Sequence, residues 1–549
     1  MIKKIQKTDF LYVFVLFLFL MPSCRKENFD FKNKFASTNK YDPNMSLPLV
    51  HSKLSIEDII SGSSANQFFK TDASNIVTLF YKSNVFEKYA KDVFSTIDDQ
   101  TFSNNYNFTL PFGLPVGDSA FTNYNPVFSL TTTNGEQFDS ITVKSGTLRF
   151  HLNSSNYNHQ AKFDVTLPNV LKNGTAFKTT IHYTYSGSLP VDITRDFDLT
   201  GYTIAFTPTN QLAVNIKITG YGDNNTNTSP YDFNFETSLI AVQYLRMFGY
   251  LGQRTISLGQ DSILLHVFKN NFNGSMQVDD PKLKINVYNS FGIPVKTTFN
   301  KLQVYSSVNA PNTINIGGTG LNNPLTIGYP TMSQIGQSVL TSVLLNKGNS
   351  NIADAINISP KKFLYDIIAN TNPLGVSSPN FVLDTSKIKV DFEIEIPLSD
   401  FCGKFIIQDT MPFGVTELSK DIKDLKWIKF RVNAENWFPL DAVMQIYFTD
   451  TIAGNKYHIV DSLILNSTDK IIDGAIQGPS PNYRVTTPKL KLTEILVEKD
   501  KLEKIENCNN MFIRATINTI YNPLFRVRIY NNYILDIKLS AQVQLDVSY

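Results

Sequence analysis

Apolar and polar residues alternate with a period of two along most of this chain, in 141–152, 282–287, 388–396, 427–432 and 534–547. In the last of these, Ile537, Leu539, Ala541, Val543, Leu545 and Val547 fall on one side, and Lys538, Ser540, Gln542, Gln544 and Asp546 on the other. That is the pattern of a half-buried antiparallel strand. Turn-rich stretches separate the alternating runs at short intervals. The pattern predicts a mainly β chain of tandem antiparallel β-sandwich domains, not alternating βα units.

Three runs share a signature. Residues 148–153, 283–289 and 428–433 each read apolar-polar-apolar-polar-apolar and then reach Asn. The second and third continue into related turns, Asn289-Ser290-Phe291-Gly292-Ile293-Pro294 and Asn436-Trp437-Phe438-Pro439-Leu440. Their spacing is domain-sized, well beyond the roughly 20–50 residues of a solenoid repeat. Three related sandwiches in series are expected, over 46–240, 241–400 and 401–549. One stretch departs from the period of two. Ile335, Val339, Leu340, Val343 and Leu344 recur at helical spacing, and 352–356 and 360–369 suggest further short helices. They predict a small helical insertion over 331–370. Residues 85–97 suit either helix or strand, and 498–506 a solvated turn or short helix.

At 549 residues the chain is long enough for three or four domains of about 150 residues each. Hydrophobic residues, at 42%, can fill their cores, while charged residues, at 18%, fall below the roughly 25% usual in soluble domains. Polarity therefore comes from Asn, Thr and Ser. The formal net charge is +2 with no long basic block, which excludes the electrostatic footprint of a nucleic-acid binder.

At the N-terminus Lys3, Lys4 and Lys7 precede an apolar run over 10–21, then Pro22-Ser23-Cys24 and Arg25-Lys26-Glu27-Asn28. A charged start, a short apolar core and a small residue at the cut form a secretory signal, over 1–23, too short for a membrane span of about 20 residues. Cys24 directly after the run resembles the lipobox of bacterial lipoproteins. The resemblance implies that its thiol is acylated, palmitate being among the chains, and becomes the mature N-terminus, with 24–45 a flexible tether. Two or three acyl chains would hold the protein at a membrane durably. Cys402 and Cys508 are the other cysteines, and one disulfide between them is possible from the sequence.

The chain lacks the Gly-x-Ser-x-Gly, P-loop and His-Glu-x-x-His patterns, and Gly220-Tyr221-Gly222 lacks the third glycine of a dinucleotide fingerprint. His51, His151, His159, His182, His266 and His458 are scattered, unlike zinc ligands. Asp223, Asn225 and Asn227 copy the first oxygen ligands of a calcium loop, but Thr228 and Asn234 stand where glycine and glutamate are needed. Asp196 and Asp198 share one side of a strand, where glycoside hydrolysis needs acids facing across a cleft. No catalytic residue, metal or cofactor is expected.

Asp followed by Ser or Thr and an apolar or small residue recurs around Ser119, Ser140, Ser262, Thr410, Thr451 and Ser462. It resembles the O-glycosylation acceptor pattern of exported Bacteroidota proteins. With the lipobox and the Asn-rich chain, it makes the sequence similar to Bacteroidota outer-membrane lipoproteins. The resemblance implies a lipid-anchored, non-enzymatic outer-membrane protein, on the surface or periplasmic face, acting as an interaction subunit with outer-membrane protein partners in biogenesis, secretion or uptake machinery. The alternative it implies is a cell-surface glycan- or nutrient-binding lipoprotein.

Overall fold

A computed structural model describes residues 40–41, 44–56, 67–94, 97–111, 114–265, 275–307, 309–376, 379–399, 402–412, 425–453, 456–464, 470–505, 508, 510–520, 526–545 and 547–548. The signal region, Cys24 and most of the tether lie outside these residues. The architecture is mainly β, in antiparallel sheets, with three short α-helices among the described residues.

The chain first lays down three long strands, β1 (Asn44–Ser55), β2 (Val77–Tyr89) and β3 (Gln100–Phe108), with helix α1 (Ala90–Val93) after β2. Next come β4 (Ser119–Tyr124), β5 (Gln137–Ser154), β6 (Ala161–Lys172), β7 (Thr175–Tyr183), β8 (Val191–Asp198), β9 (Asn215–Tyr221) and β10 (Tyr231–Tyr250). With β3 they make the first module. One layer runs β8–β5–β10–β3 and the other β4–β9–β6–β7. A short strand, Thr203–Ala205, pairs with both β5 and β6 and joins the layers.

The second module takes β2 and adds β11 (Thr255–Leu264), β12 (Lys282–Asn289), β13 (Val295–Tyr305), β14 (Thr313–Asn315), β15 (Leu325–Ile327), β16 (Val339–Leu345), β17 (Lys362–Thr371) and β18 (Lys387–Pro397), with helix α2 at Ile352–Asn357. Its layers are β16–β12–β18–β2 and β11–β17–β13, the short β14 and β15 flanking β13. The third module takes β1 and adds β19 (Cys402–Pro412), β20 (Leu425–Asn436), β21 (Leu440–Ala453), β22 (Lys456–Ile464), β23 (Lys489–Glu498), β24 (Asn510–Thr519) and β25 (Ile534–Leu545), with helix α3 at Lys499–Ile505. Its layers are β23–β20–β25–β1 and β19–β24–β21–β22.

The three modules therefore follow one plan. In each, with the short β14 and β15 of the second module taken together as its fifth, the first strand pairs with the last, the last with the third, and the third with the sixth; the other layer holds the second, seventh, fourth and fifth. The expected repeat is real, because 148–153, 283–289 and 428–433 all lie on the third strand of a module. The serial blocks 46–240, 241–400 and 401–549 are corrected. The modules are nested: β1 closes on β25 (Asn44 opposite Gln544), β2 on β18 (Tyr89 opposite Lys387) and β3 on β10 (Phe108 opposite Tyr231). The first module is inserted between the first and second strands of the second, which is itself inserted at the same point of the third.

The helical insertion is also corrected. Of 331–370 only Ile352–Asn357 is α-helical, beside a 3-10 turn at Met332–Gln334; Val339–Leu345 and Lys362–Thr371 are strands. Within 85–97, residues 85–89 end β2 and Ala90–Val93 form α1; within 498–506, Glu498 ends β23 and Lys499–Ile505 form α3.

The Asn that opens the turn after the third strand has a physical role in two modules; in the third it is Asn436, three residues beyond the Asn433 of the repeated run. At the end of β12 the buried Asn289 amide donates to Gly328 O (3.0 Å), and its Oδ1 accepts the Phe291 N–H (2.9 Å). At the end of β20 Asn436 donates to Leu440 O (2.8 Å) and Asp473 O (2.9 Å) and accepts the Phe438 N–H (2.8 Å). Phe291 and Phe438 are thereby driven into the core, where each contributes about 1.5–3 kcal/mol. In the first module β5 continues one residue past Asn153, and buried Ser154 accepts the Tyr157 N–H instead (3.1 Å).

A polar joint links the first two modules. The Arg254 guanidinium bonds Glu136 Oε1 at 2.6 Å and Val93 O at 3.2 Å and lies over the Phe94 ring. Burial works to raise the Glu136 carboxyl, but bonds from the Asn134 side chain and backbone, together with Arg254, outweigh it and hold the group below its ordinary range.

Candidate functional site

In the outer layer of the third module, β23–β20–β25–β1, inward residues such as Ile428, Ala434, Leu535, Leu539 and Ala541 are buried. The alternate residues face solvent in rows set by strand register. One row is Leu490, Glu435, Asp536 and Lys53; the next is Leu492, Asn433, Lys538 and His51; the third is Glu494, Arg431, Ser540 and Pro48. A bulge between Pro48 and Val50 bends β1 and re-aims its side chains. Beside it lies a concavity of about 450 Å³, whose walls include His51, Arg431, Asn433, Leu492, Lys538 and Ser540.

The electrostatics of this face are local and paired. Arg431 Nε donates to Glu494 Oε1 (2.7 Å), with Lys429 3.8 Å from the other oxygen. His51 Nε2 meets Asp536 Oδ1 (2.8 Å), and Lys53 lies 3.6 Å from Oδ2. Lys538 makes no ion pair among the described residues. Arg431, Lys538, Asn433 and Ser540 thus present hydrogen-bond donors to one concavity, with Leu492 as an apolar wall. Such a surface suits an anionic or hydroxyl-bearing group.

Its border is an edge strand. Among the described residues nothing pairs with the far side of β23, whose outward residues Leu490, Leu492 and Leu496 are 66%, 60% and 48% exposed. Soluble proteins usually blunt such edges with charge, proline or cover.

The first module contains a different constellation. His159, buried, meets Asp223 Oδ1 through Nδ1 (2.7 Å) and the Tyr231 hydroxyl through Nε2 (2.5 Å). Tyr231 accepts the Thr228 N–H (3.1 Å) and donates to Asn158 Oδ1 (3.1 Å), whose amide is oriented by its bond to Thr226 O (2.8 Å). Tyr231 is wholly buried, so the chain Asp223–His159–Tyr231 is closed to a substrate. It fastens the 222–230 loop to the sandwich. The residues that resembled a calcium loop serve the same purpose: Asn225 folds back onto Asp223, and Asn227 accepts the Ser229 N–H. Among the described residues no cluster of His, Cys, Asp or Glu is placed to hold a metal ion.

The other candidates are dispersed. Asp196 is bonded by Arg149 through two 2.7 Å contacts, and Asp198 by Thr200, on the solvated side of β8. Ser119 and Ser262 are exposed on β4 and β11, Ser140 and Ser462 are half-buried on β5 and β22, and the backbones of Thr410 and Thr451 lie in β19 and β21. The side chains of Thr410, Thr451 and Cys402 lie outside the described residues. Cys508 is a free, buried thiol, which burial pushes up, with Asp450 and Asp461 adding to the effect. Pairing of Lys404 with Asn518 and of Pro412 with Asn510 places Cys402 and Cys508 at opposite ends of the β19–β24 ladder, about 30 Å apart at about 3.3 Å per residue. A disulfide needs Cα atoms within about 7 Å, so the backbone corrects the possible pairing. The β23 edge escaped the sequence reading; its signal is 490–497, where Leu490, Leu492 and Leu496 fall on one side of a strand and Ile495 and Val497 on the other.

No family model and no curated protein matches this chain. Among solved structures it is similar to a protein of Parabacteroides distasonis described as secreted, at 7% identity over 91% of this chain and 99% of that one, with a TM-score of 0.25. Infectious bursal disease virus Gx strain gives 9% identity over 84% and 82%, TM-score 0.14, and the VP2 subviral particle of that virus 8% over 83% and 82%, TM-score 0.13. Likenesses this slight carry no argument about function.

Proposed function

We propose that the protein is a lipid-anchored, non-catalytic interaction subunit of an outer-membrane assembly, presenting the outer layer of its third module to other proteins. The observation that carries this reading is the row of exposed leucines on β23, an edge with unpaired backbone beside a donor-lined concavity. Exposed apolar edges of this kind are where added strands dock. Anchorage comes from the sequence alone, through Cys24 and the 1–23 signal. Crosslinking in intact cells, with identification of neighbours by mass spectrometry, is the test. The expected result is crosslinks from 489–498 to envelope proteins in wild type and their loss in the Leu490→Lys, Leu496→Lys double variant. Crosslinks that map elsewhere, or a mature N-terminus without lipid, would overturn the reading.

The glycan-binding alternative has one observation in its favour, the convergence of Arg431, Lys538, Asn433 and Ser540 on the concavity. The exposed aromatics do not add to it. Among the described residues Tyr89, Phe121, Tyr329 and Tyr483 are spread over three modules and form no row. Retention on a polysaccharide affinity gel that is lost in Arg431→Ala would favour this alternative.

A further inference from the structure

The phase of hydrogen bonding along β23 follows from one bond. Trp437 N–H donates to Ile534 O (3.0 Å), so odd-numbered residues of β20 bond β25 and even-numbered ones bond β23. Because Asn436 lies opposite Lys489, the odd residues of β23 bond inward. Leu490, Leu492, Glu494 and Leu496 therefore direct their N–H and C=O groups toward the edge that no described residue pairs with, and their side chains to the solvent face of the layer.

We infer that this edge pairs with the β23 edge of a second copy of the chain, antiparallel about Thr493, joining two four-stranded layers into one eight-stranded sheet. The inference rests on the reading of this layer as an interaction surface and names its partner. In that register Leu490 of each copy faces Leu496 of the other, Leu492 faces Glu494, and Thr493 faces its own counterpart. The charges agree. Glu494 is already neutralised by Arg431 and Lys429 of its own copy. The row that holds Glu435 beside Leu490 continues through the partner's Leu496 to Lys429, opposite in sign. Shifting the axis by one residue toward the C-terminus would put Glu494 against Glu494, two like charges directly opposed. The other edges of the same kind are less suited. β8 carries Asp192, Asp196 and Asp198 outward, and on the shorter β16 the Thr341 hydroxyl is taken by the Gly328 N–H (2.8 Å).

Sedimentation analysis of the full chain in detergent tests this. Wild type is expected to dimerise reversibly. Leu492→Pro removes an N–H that faces solvent, not one the protein's own ladder uses, so the fold is retained and association weakens by about tenfold or more. Leu490→Lys with Leu496→Lys should do the same without touching the backbone. Thr493→Cys should give a disulfide-linked dimer on mild oxidation, because opposed residues in a non-hydrogen-bonded pair approach to about 4.5 Å between Cα atoms; Lys491→Cys should not. A wild-type chain that stays monomeric up to its solubility limit would overturn the pairing. Monomers that still crosslink to envelope proteins through 489–498 would overturn it while leaving the interaction reading intact.

Discussion

The first and third modules share an eight-strand plan yet treat the same edge in opposite ways. In the first, β8 ends the outer layer with Asp192, Thr194, Asp196 and Asp198 facing solvent, and the neighbouring strands of the same layer carry a hydrogen-bonded polar ladder. His151 meets Asp192 (2.9 Å), Arg149 meets Asp196, Thr101 meets Ser238 (3.1 Å), and Asn234 donates to Asn105 (2.7 Å). In the third, β23 occupies the equivalent edge and shows leucines. Both edges belong to stable sandwiches, so the fold does not demand leucine there. Carboxylates on an edge discourage strand addition and apolar side chains invite it. The difference points to function, since it concerns the outside of the module and leaves the core unchanged.

The most disruptive way to probe the comparison is to remove a first strand. Replacing 44–55 with a Gly/Ser segment should abolish hydrogen-exchange protection in β20 and β25 of the third module, because β25 loses its β1 partner. The first module, closed by its own β3, should keep its protection. Equal loss in both modules would mean that nesting makes the chain one cooperative unit.

The turn at the end of the third strand sharpens the comparison further. Asn436→Ala leaves the Leu440 and Asp473 carbonyls and the Phe438 N–H without their partner and should cost about 1–3 kcal/mol in denaturant titrations, as should Asn289→Ala. Asn153→Ala, one residue before the first module's turn, should cost far less, because buried Ser154 occupies the corresponding position and makes the turn contact there.

Acid should act at the border of the first module. The folded-state value of Glu136 lies below its unfolded one, so its contribution is present above the ordinary carboxylate range and is lost as pH falls through the folded value. A thermal melt followed between neutral and acidic pH should lose stability more steeply in wild type than in Glu136→Gln, which lacks the titrating group. Parallel curves would remove Glu136 from the account.

The smallest expected effect on stability comes from Asp192→Leu with Asp196→Leu. Both side chains are exposed, so the melting temperature should hardly move. Light scattering should nevertheless reveal new self-association, as the first module acquires an edge like that of the third.

Much of the architecture could be read in advance. Strand alternation in 534–547 and the Asn-ended signature of the third strands pointed to β-sandwiches of one kind. The helical reading of 331–346 failed for an instructive reason. On β16, Val343 and Leu345 are buried while Leu340 and Leu344 are exposed, so apolar residues lie on both sides of one strand and their spacing imitates a helix. The same property, apolar residues facing outward on an edge, hid β23 as a site.

Taken alone, the sequence determined the strand content and the repeated unit, because each is written in local spacing and residue type, and it is the source of the proposed address around Cys24. The tertiary structure decided the nesting, the separation of Cys402 from Cys508, the closure of His159 between Asp223 and Tyr231, and the exposure of Leu490, Leu492 and Leu496. These depend on which distant strands pair. The alternating pattern of β1 would fit any half-buried neighbour, and only the packed layers select β25, almost the whole chain away.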